Sequence, residues 1–319
     1  MNRLLLLLGV VGLLSAAGCR KDDVVACAPA TSNLSLEDFT RRNGAPVQTF
    51  TLVLGPTLVK QVFTTSGGAM LTVPPVSFLL PNGTAATGTA QLRVREIYSV
   101  PDMVLSNKPT QLGGSRKLLI SGGEFSIQVW QNTTRLRLAP GSARVLVESP
   151  IPAGASSGKQ LLWQQPASRL VGDSAGWVPA PTRTDTIRTT PVGYSTPITL
   201  DSVSWWNIDQ LWHLNQTAPL GTLTVQTPAI PVFSTGSTSV FVRTVGLNGL
   251  GYLYSTNATK TSWTASLPTG ASMKVVVLQS IDGQLYFGTQ AITTQSTLSI
   301  TPPLTAVSEA DAVRLIKQL

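Results

Sequence analysis

GTAQLRVREIYS, residues 88–99, carries the clearest structural pattern in the chain. Its small and aliphatic residues Ala90, Leu92 and Val94 alternate with the polar residues Gln91, Arg93 and Arg95. Successive side chains of a β-strand point to opposite faces, so this alternation predicts a strand with one buried and one solvated face.

The same pattern recurs further along the chain. In EFSIQVW (124–130) the alternating apolar residues are Phe125, Ile127 and Val129, and RLRL (135–138) places two leucines opposite two arginines. Glycine and proline pairs between these segments mark turns. Short strands at this spacing predict an antiparallel β-sandwich over residues 48–216. Its last part, from Ile151, is rich in tryptophan and less regular.

Residues 217–319 predict a second β-domain. The segments MKVVVLQSI (273–281) and QLYFGTQAI (284–292) are joined through Asp282-Gly283, a strong hairpin signal. The continuous apolar run 275–278 is typical of a central strand covered on both faces. A helix follows at the end of the chain, with Ser308 as its N-cap. The predicted fold class is therefore all-β, with two sandwich-like domains and a short C-terminal helix.

The first 18 residues have the features of an export signal. Arg3 precedes an apolar run from Leu4 to Leu14, and small residues follow at 15–18. The apolar run is shorter than the roughly 20 residues that a membrane-spanning helix needs. Residues 1–18 are therefore predicted to be a cleaved signal peptide.

The residues after this signal indicate a membrane anchor. Ala16-Ala17-Gly18-Cys19 resembles the lipobox of bacterial lipoproteins, which implies a diacylglycerol on the sulfur of Cys19 and cleavage before it. An ordinary secretory signal with a chance cysteine is the alternative. Lys21, Asp22 and Asp23 resemble the signal that sends some Gram-negative lipoproteins to the cell surface, although a solvated charge cluster would look the same. Residues 19–47 are predicted to form a tether, with room for one short helix at 35–39.

Composition excludes some function classes. The formal net charge is +8, but only 12% of residues are charged and no lysine or arginine run exists. This is not the basic patch of a nucleic-acid-binding protein. The chain has two cysteines, Cys19 and Cys27, so a lipidated Cys19 leaves no intramolecular disulfide.

Two stretches match the hydrolase pattern Gly-x-Ser-x-Gly, at 154–158 and 172–176. In the second, Ser174 would be the nucleophile, Asp209 the orienting acid and His213 the base. The context opposes this assignment, because a nucleophile elbow needs a helix after the serine and prolines follow here instead. A lone histidine also excludes zinc sites built on histidine pairs. Three acids, Glu96, Asp102 and Glu124, remain candidates for a carboxylate cluster or for bonds to backbone and arginine groups.

Two further sets of residues are candidate sites. Trp205 and Trp206 are adjacent, so in a strand one could pack in the core while the other forms a platform for a sugar or a protein; the alternative is that both are buried at a domain junction. Ser174, Thr186 and Ser202 each follow an aspartate and precede an apolar residue, which resembles the O-glycosylation site of some Gram-negative exported proteins. Ordinary turn chemistry gives the same pattern.

The segment 66–99, which contains GTAQLRVREIYS, resembles the opening of the β-sandwich module shared by ankyrins, netrin receptors and tight-junction scaffolds. The segments 101–110, 118–125 and 202–211 are similar to a group of uncharacterised bacterial outer-membrane lipoproteins that carry this module. The resemblance implies a fold and a location rather than an activity. Some animal relatives cut themselves at a His-Phe-Ser site, but His213 is followed by Leu214-Asn215, so that chemistry is not implied here.

These patterns together predict a lipid-anchored protein of the outer membrane, exposed at the cell surface or, alternatively, facing the periplasm. We expect a non-enzymatic structural or binding module without a cofactor or metal, whose partners are the membrane and surface proteins or glycans rather than nucleic acid. A glycan-binding accessory lipoprotein and a serine hydrolase using Ser174 are the alternative functions.

Overall fold

The computed structural model describes residues 34–55, 59–75, 78–155, 160–166, 176–180, 187–190, 193–200, 203–212 and 217–319. It is 53% strand and 9% helix, which confirms the predicted all-β class. Residues from Asn33 to Leu319 form one compact unit.

The described helices are α1 (Leu36–Asn43), α2 (Val100–Leu105) and α3 (Glu309–Ile316). The described strands are β1 (Gln48–Leu54), β2 (Gln61–Thr64), β3 (Met70–Val73), β4 (Phe78–Leu79), β5 (Gly88–Ile97), β6 (Leu119–Gln131), β7 (Thr134–Leu138), β8 (Val145–Ser149), β9 (Leu161–Pro166), β10 (Val178–Pro179), β11 (Arg188–Thr190), β12 (Gly193–Ile198), β13 (Val203–Leu211), β14 (Leu220–Gln226), β15 (Gly236–Thr244), β16 (Leu250–Tyr252), β17 (Tyr254–Ser255), β18 (Ser262–Pro268), β19 (Ser272–Ile281), β20 (Gln284–Thr293), β21 (Thr297–Ile300) and β22 (Thr305–Val307).

Within the described ranges these strands form four sheets. The first has the order β1-β5-β6-β13-β9-β10, with β7 and β4 attached beside β6, and the second has the order β11-β12-β8-β3-β2. The third is β17-β18-β14-β21 and the fourth is β16-β15-β19-β20-β22. Most neighbours are antiparallel, as predicted, whereas β14 and β21 run parallel.

The first and second sheets pack face to face. Leu92 and Val94 of β5, which are fully buried, meet Leu71 and Val147 of the second sheet in one apolar cluster. The alternation in residues 88–99 therefore correctly predicted which side chains of β5 enter the core. The third and fourth sheets form a second sandwich, in which Val225 packs with Val275 and Val277.

A third apolar cluster joins the two sandwiches. It contains the outer face of the first sheet, the free face of the fourth sheet and all three described helices. Val276 and Leu278 of β19 belong to this cluster, while Val275 and Val277 face the other way into the second sandwich. The prediction that run 275–278 is a central strand buried on both faces is confirmed.

Strand β6 differs from its predicted pattern. The sequence predicted a solvated face opposite Phe125, Ile127 and Val129, but residues 119–127 are buried on both faces. The first half of β6 lies under helices and the fourth sheet, so its polar residues are enclosed rather than solvated.

The segment predicted as a tether contains packed structure. Helix α1 begins after the N-cap Ser35 and extends to Asn43, four residues beyond the helix predicted at 35–39. Leu36 and Phe39 are buried, and the carbonyl of Leu34 accepts a hydrogen bond from the hydroxyl of Ser280 at 2.6 Å. Residues 34–43 thus belong to the packed part of the chain, because α1 covers apolar surface on the fourth sheet.

Two local predictions of the second sandwich are confirmed. Asp282 and Gly283 both have positive φ, 49° and 81°, and they connect β19 to β20 as a two-residue hairpin turn. Ser308 caps α3 by accepting a hydrogen bond from the backbone N–H of Asp311 at 3.0 Å. Ala312 and Ile316 then bury one side of α3.

Candidate functional site

Six polar side chains are enclosed between the first sheet and the elements that cover it. We call them the buried polar cluster: Lys108, Ser121, Glu124, Gln165, Asn207 and Asp209. Strand β6 pairs with β13 so that Glu124 lies opposite Asn207, and Ser121 lies opposite Asp209. The register shifts between Asn207 and Asp209, which keeps all four of these positions on the same side of the sheet.

Two glycines make room for this irregular pairing. A Cβ added at Gly122 would lie 2.6 Å from Cε2 of Tyr194, and Gly123 has φ of 130°. A left-handed backbone of this kind is accessible mainly to glycine. The sequence Ser121-Gly122-Gly123-Glu124 therefore places two polar side chains on one face within a strand that would otherwise alternate.

A chain of hydrogen bonds links part of the cluster. The hydroxyl of Ser121 donates to Oδ1 of Asn207 at 2.9 Å, and Nδ2 of Asn207 donates to Oδ2 of Asp209 at 2.6 Å. On the other side, Nζ of Lys108 donates to Oε1 of Gln165 at 2.7 Å and lies 4.9 Å from the ring centroid of Trp205. An ammonium over an indole face is a favourable cation–π arrangement.

Burial favours the neutral form of both acids of the cluster. Both carboxyl oxygens of Glu124 lack a hydrogen-bond partner among the described residues, and so does Oδ1 of Asp209. Burial raises the pKa of Glu124, and the charge of Lys108 opposes this shift. Burial also raises the pKa of Asp209 well above its ordinary value, and the neighbouring Glu124 raises it further. The same burial lowers the pKa of Lys108.

The two acids of this cluster are closed off from solvent. Glu124, Asn207 and Asp209 have no exposed surface, so a substrate would reach them only if the cover of the first sheet opened. Shifted pKa values mark structural networks as well as active sites. The arrangement favours a structural role at the junction of the two sandwiches.

The three acids considered together in the sequence do not form one site. Glu96 accepts hydrogen bonds from Thr65 at 2.7 Å and from the backbone N–H of Gly67 at 2.6 Å. Asp102 lies at the start of α2, where it accepts from the hydroxyl of Ser99 at 2.6 Å. Glu124 alone belongs to the buried polar cluster, so a three-carboxylate cluster is not formed.

Of the predicted hydrolase residues, Asp209 is described and belongs to the buried polar cluster. Its raised pKa disfavours the ionised form that an orienting acid of a catalytic triad requires. Ser174 and His213 lie outside the described residues.

Both tryptophans of the predicted ligand platform are buried. Trp205 is 7% exposed and Trp206 is 4% exposed. They point to opposite faces of β13, as predicted, but Trp206 packs in the first sandwich and Trp205 in the cluster that joins the two sandwiches. Neither is an exposed platform, because helices and the fourth sheet cover the face that carries Trp205.

The remaining predicted sites lie outside the described residues. These are the lipidation site Cys19, the export signal Lys21, Asp22 and Asp23, and the glycosylation candidates Ser174, Thr186 and Ser202. Among the residues that the structure does describe, no group of three or more histidine, cysteine or acidic side chains has the arrangement of a metal site. No helix in these ranges combines the length and the apolar character needed to cross a membrane.

A groove of about 510 Å³ lies between α1 and the second sandwich, and sequence analysis did not identify it. We call it the α1 groove. Its lining combines hydroxyls, aromatic rings and one cation; characteristic members are Thr40, Ser237, Ser239, Tyr252 and Lys260. These residues come from four separate segments, so no local motif could have predicted the groove.

Comparisons with known proteins do not identify a family. No protein-family model matches the chain, and the search of curated proteins finds no match.

Proposed function

We propose that the chain is a lipid-anchored protein of the outer membrane that acts as a non-enzymatic structural or binding module. The anchor is Cys19, and Lys21, Asp22 and Asp23 direct the protein to the cell surface. The resemblance of residues 66–99 to a sandwich module carried by bacterial lipoproteins supports the same location.

The position of Leu34 in the fold is the observation that carries this proposal. Leu34 is 3% exposed and its carbonyl accepts a hydrogen bond from Ser280, so the fold includes residue 34. About 15 residues separate Cys19 from Leu34, a length that reaches at most about 50 Å when fully extended. A lipid on Cys19 would therefore hold the β-domains close to the membrane.

The buried polar cluster supports the non-enzymatic assignment. Its titratable groups are enclosed at the junction of the two sandwiches and are not presented to a cleft. Their pKa shifts follow from burial at a structural junction, whereas catalysis needs such groups in contact with a substrate.

The experiment is an intact-mass measurement of the N-terminal peptide from native cells, made before and after treatment with external protease. A triacylated peptide beginning at Cys19, together with protease-sensitive protein, supports the anchor and the surface location. An acylated but protected protein supports the periplasm-facing alternative. An unmodified Cys19 refutes the lipoprotein assignment. The variant Cys19→Ala is the control, because it removes the acylation site and leaves the described fold intact.

A second candidate function is glycan binding, and the α1 groove favours it. Hydroxyl groups and aromatic rings are common partners of sugar hydroxyls and of the apolar faces of sugar rings, and the groove presents both. This role is compatible with the anchor, because a surface lipoprotein can feed a transporter with captured polysaccharide.

Binding to a panel of surface polysaccharides tests this candidate. The variant Ser237→Trp places a large side chain in the α1 groove, and Thr51→Trp places the same side chain on an exposed position of β1, away from the groove. Affinity lost in the first variant and retained in the second supports a glycan site. Equal binding by both variants, or none by the native chain, refutes it.

A further inference from the structure

The turn that precedes β15 exposes two large apolar side chains. Val232 is 92% exposed and Phe233 is 101% exposed. They occupy the two central positions of a β-turn that is closed by a hydrogen bond from the N–H of Ser234 to the carbonyl of Pro231 at 2.9 Å. Neither residue has positive φ, so this turn accepts most residue types and does not itself require a valine and a phenylalanine.

The sheet behind the turn fixes its position. The N–H of Thr235 donates to Oδ1 of Asp282 at 2.8 Å, and the N–H of Asp282 donates back to the carbonyl of Thr235 at 2.8 Å. Gly236 then pairs with Ile281 at the start of the β15–β19 ladder. We call residues 231–234 the apolar tip. The two hydrogen bonds between Thr235, which follows the tip, and Asp282 hold it at one end of the fourth sheet.

Leu34, the first described residue, lies at the same end of this sheet. The carbonyl of Leu34 accepts its hydrogen bond from Ser280, two positions before Asp282 and directly opposite Ser237. The segment that leads back to Cys19 therefore joins the folded part at the end that carries the apolar tip. A lipid on Cys19 would hold this end near the bilayer.

We propose that Val232 and Phe233 insert into the interfacial region of the lipid bilayer and orient the anchored protein. This inference rests on the proposed lipid anchor at Cys19. Apolar side chains at the interface gain the free energy of leaving water, and a second contact with the bilayer fixes an orientation that one anchor alone does not define. The opposite end of β15 then faces away from the membrane.

The chain offers a matched control at that opposite end. Val245 follows the last residue of β15, is 54% exposed and is fixed by its N–H to the carbonyl of Ser272 at 3.1 Å. Strand β15 has 9 residues, which separates Val245 from the apolar tip by about 30 Å. A membrane surface that lies across the end of β15 and touches the apolar tip does not reach Val245.

The experiment places an environment-sensitive label at each position of the native, anchored protein. In a Cys27→Ser background, Phe233→Cys and Val245→Cys are labelled with the fluorophore NBD and reconstituted into vesicles of phosphatidylethanolamine and phosphatidylglycerol through the native lipid. We expect a blue-shifted emission at position 233, at least threefold stronger quenching by nitroxide-labelled lipids there, and no such change at position 245.

The outcomes separate this inference from the anchor. The mass of the same preparation shows whether Cys19 is acylated, and an unmodified cysteine refutes the proposed function. If the protein is acylated but the label gives the same spectrum at positions 233 and 245, the insertion of the apolar tip is refuted and the lipid anchor is not. The emission at position 233 could instead shift only as the amount of protein per vesicle rises, without quenching by nitroxide-labelled lipids. That result would assign the apolar tip to a contact with a second copy of the chain and would also overturn the inference. Circular dichroism of each labelled variant confirms that the fold is retained.

Discussion

The side-chain amide of Asn248 donates to the main-chain carbonyl of Ser121 at 2.8 Å and to that of Tyr98 at 3.0 Å. Asn248 lies in the turn between β15 and β16, and the two carbonyls belong to the first sandwich. One side chain, 3% exposed, thus satisfies two main-chain acceptors across the junction. The two sandwiches are joined by specific polar contacts as well as by the shared apolar cluster.

The variant Asn248→Ala is predicted to lower the free energy of unfolding by about 1–3 kcal/mol, because it leaves buried carbonyls without a donor. Urea unfolding monitored by circular dichroism measures this loss. Ser266→Ala changes an exposed polar residue of β18 and should stay within about 0.5 kcal/mol of the native chain. Equal stabilities of the two variants would show that Asn248 does not hold the junction.

The variant Glu124→Gln is predicted to reduce the pH dependence of stability. Burial raises the pKa of Glu124 to about 8, above its unfolded value of 4.5. The folded chain therefore binds a proton that the unfolded chain loses, and stability falls as pH rises through this interval, by at most about 1.4 kcal/mol per pH unit. The pKa of Asp209 is also raised, so part of the pH dependence of stability should remain in the Glu124→Gln variant.

Urea unfolding at several pH values from 5 to 7.5 measures this slope. Lys108 contributes little to the slope in this range. Its pKa is lowered from 10.5 to about 8, so its effect, a gain in stability with rising pH, begins only near pH 8. Glu37→Gln, on the exposed side of α1, should leave the slope unchanged. A native slope retained in Glu124→Gln would contradict the buried neutral acid.

The variant Gly122→Ala is predicted to destabilise the first sandwich by about 1–3 kcal/mol. Its new methyl group would lie 2.6 Å from Tyr194 and 2.9 Å from the backbone carbonyl of Ile208, and the backbone atom has little freedom to move away. Gly55→Ala is the matched control, since an added Cβ there meets no atom within 4 Å. Thermal unfolding of both variants distinguishes a packing constraint from a general effect of removing glycine.

The variant Phe39→Ala tests whether α1 is part of the fold. Phe39 is fully buried, so its truncation should lower the free energy of unfolding by about 3–5 kcal/mol. Arg41→Ala, on the exposed side of the same helix, should have little effect. If both variants were as stable as the native chain, residues 34–43 would belong to the tether after all.

Local patterns predicted those elements whose own residues determine their structure. The alternation around Leu92 and Val94 identified one face of β5, the continuous run 275–278 identified a central strand, and Asp282-Gly283 identified a hairpin. The cap at Ser308 identified the last helix. In each case the decisive interactions lie within a few residues or follow from a fixed side-chain period.

The candidate site was much less predictable. The sequence of β6 predicts a solvated position for Glu124, and the structure encloses it. Residues 34–43 look like part of a tether until the apolar surface of the fourth sheet is placed against Phe39. The α1 groove combines segments far apart in the chain, and the exposure of the apolar tip depends on which surfaces the rest of the fold covers, so a single sequence predicts neither.

By itself the sequence determined the all-β class, the faces of the main strands and the turn chemistry, and it predicted an export signal with a lipid anchor. Only the tertiary structure decided that Trp205 and Trp206 are both buried, that Glu124 and Asp209 share an enclosed cluster, and that Leu34 lies at the same end of the fourth sheet as Val232 and Phe233. The physical reason is that periodicity specifies which side chains share a face, whereas burial and pKa depend on what another part of the chain places against that face.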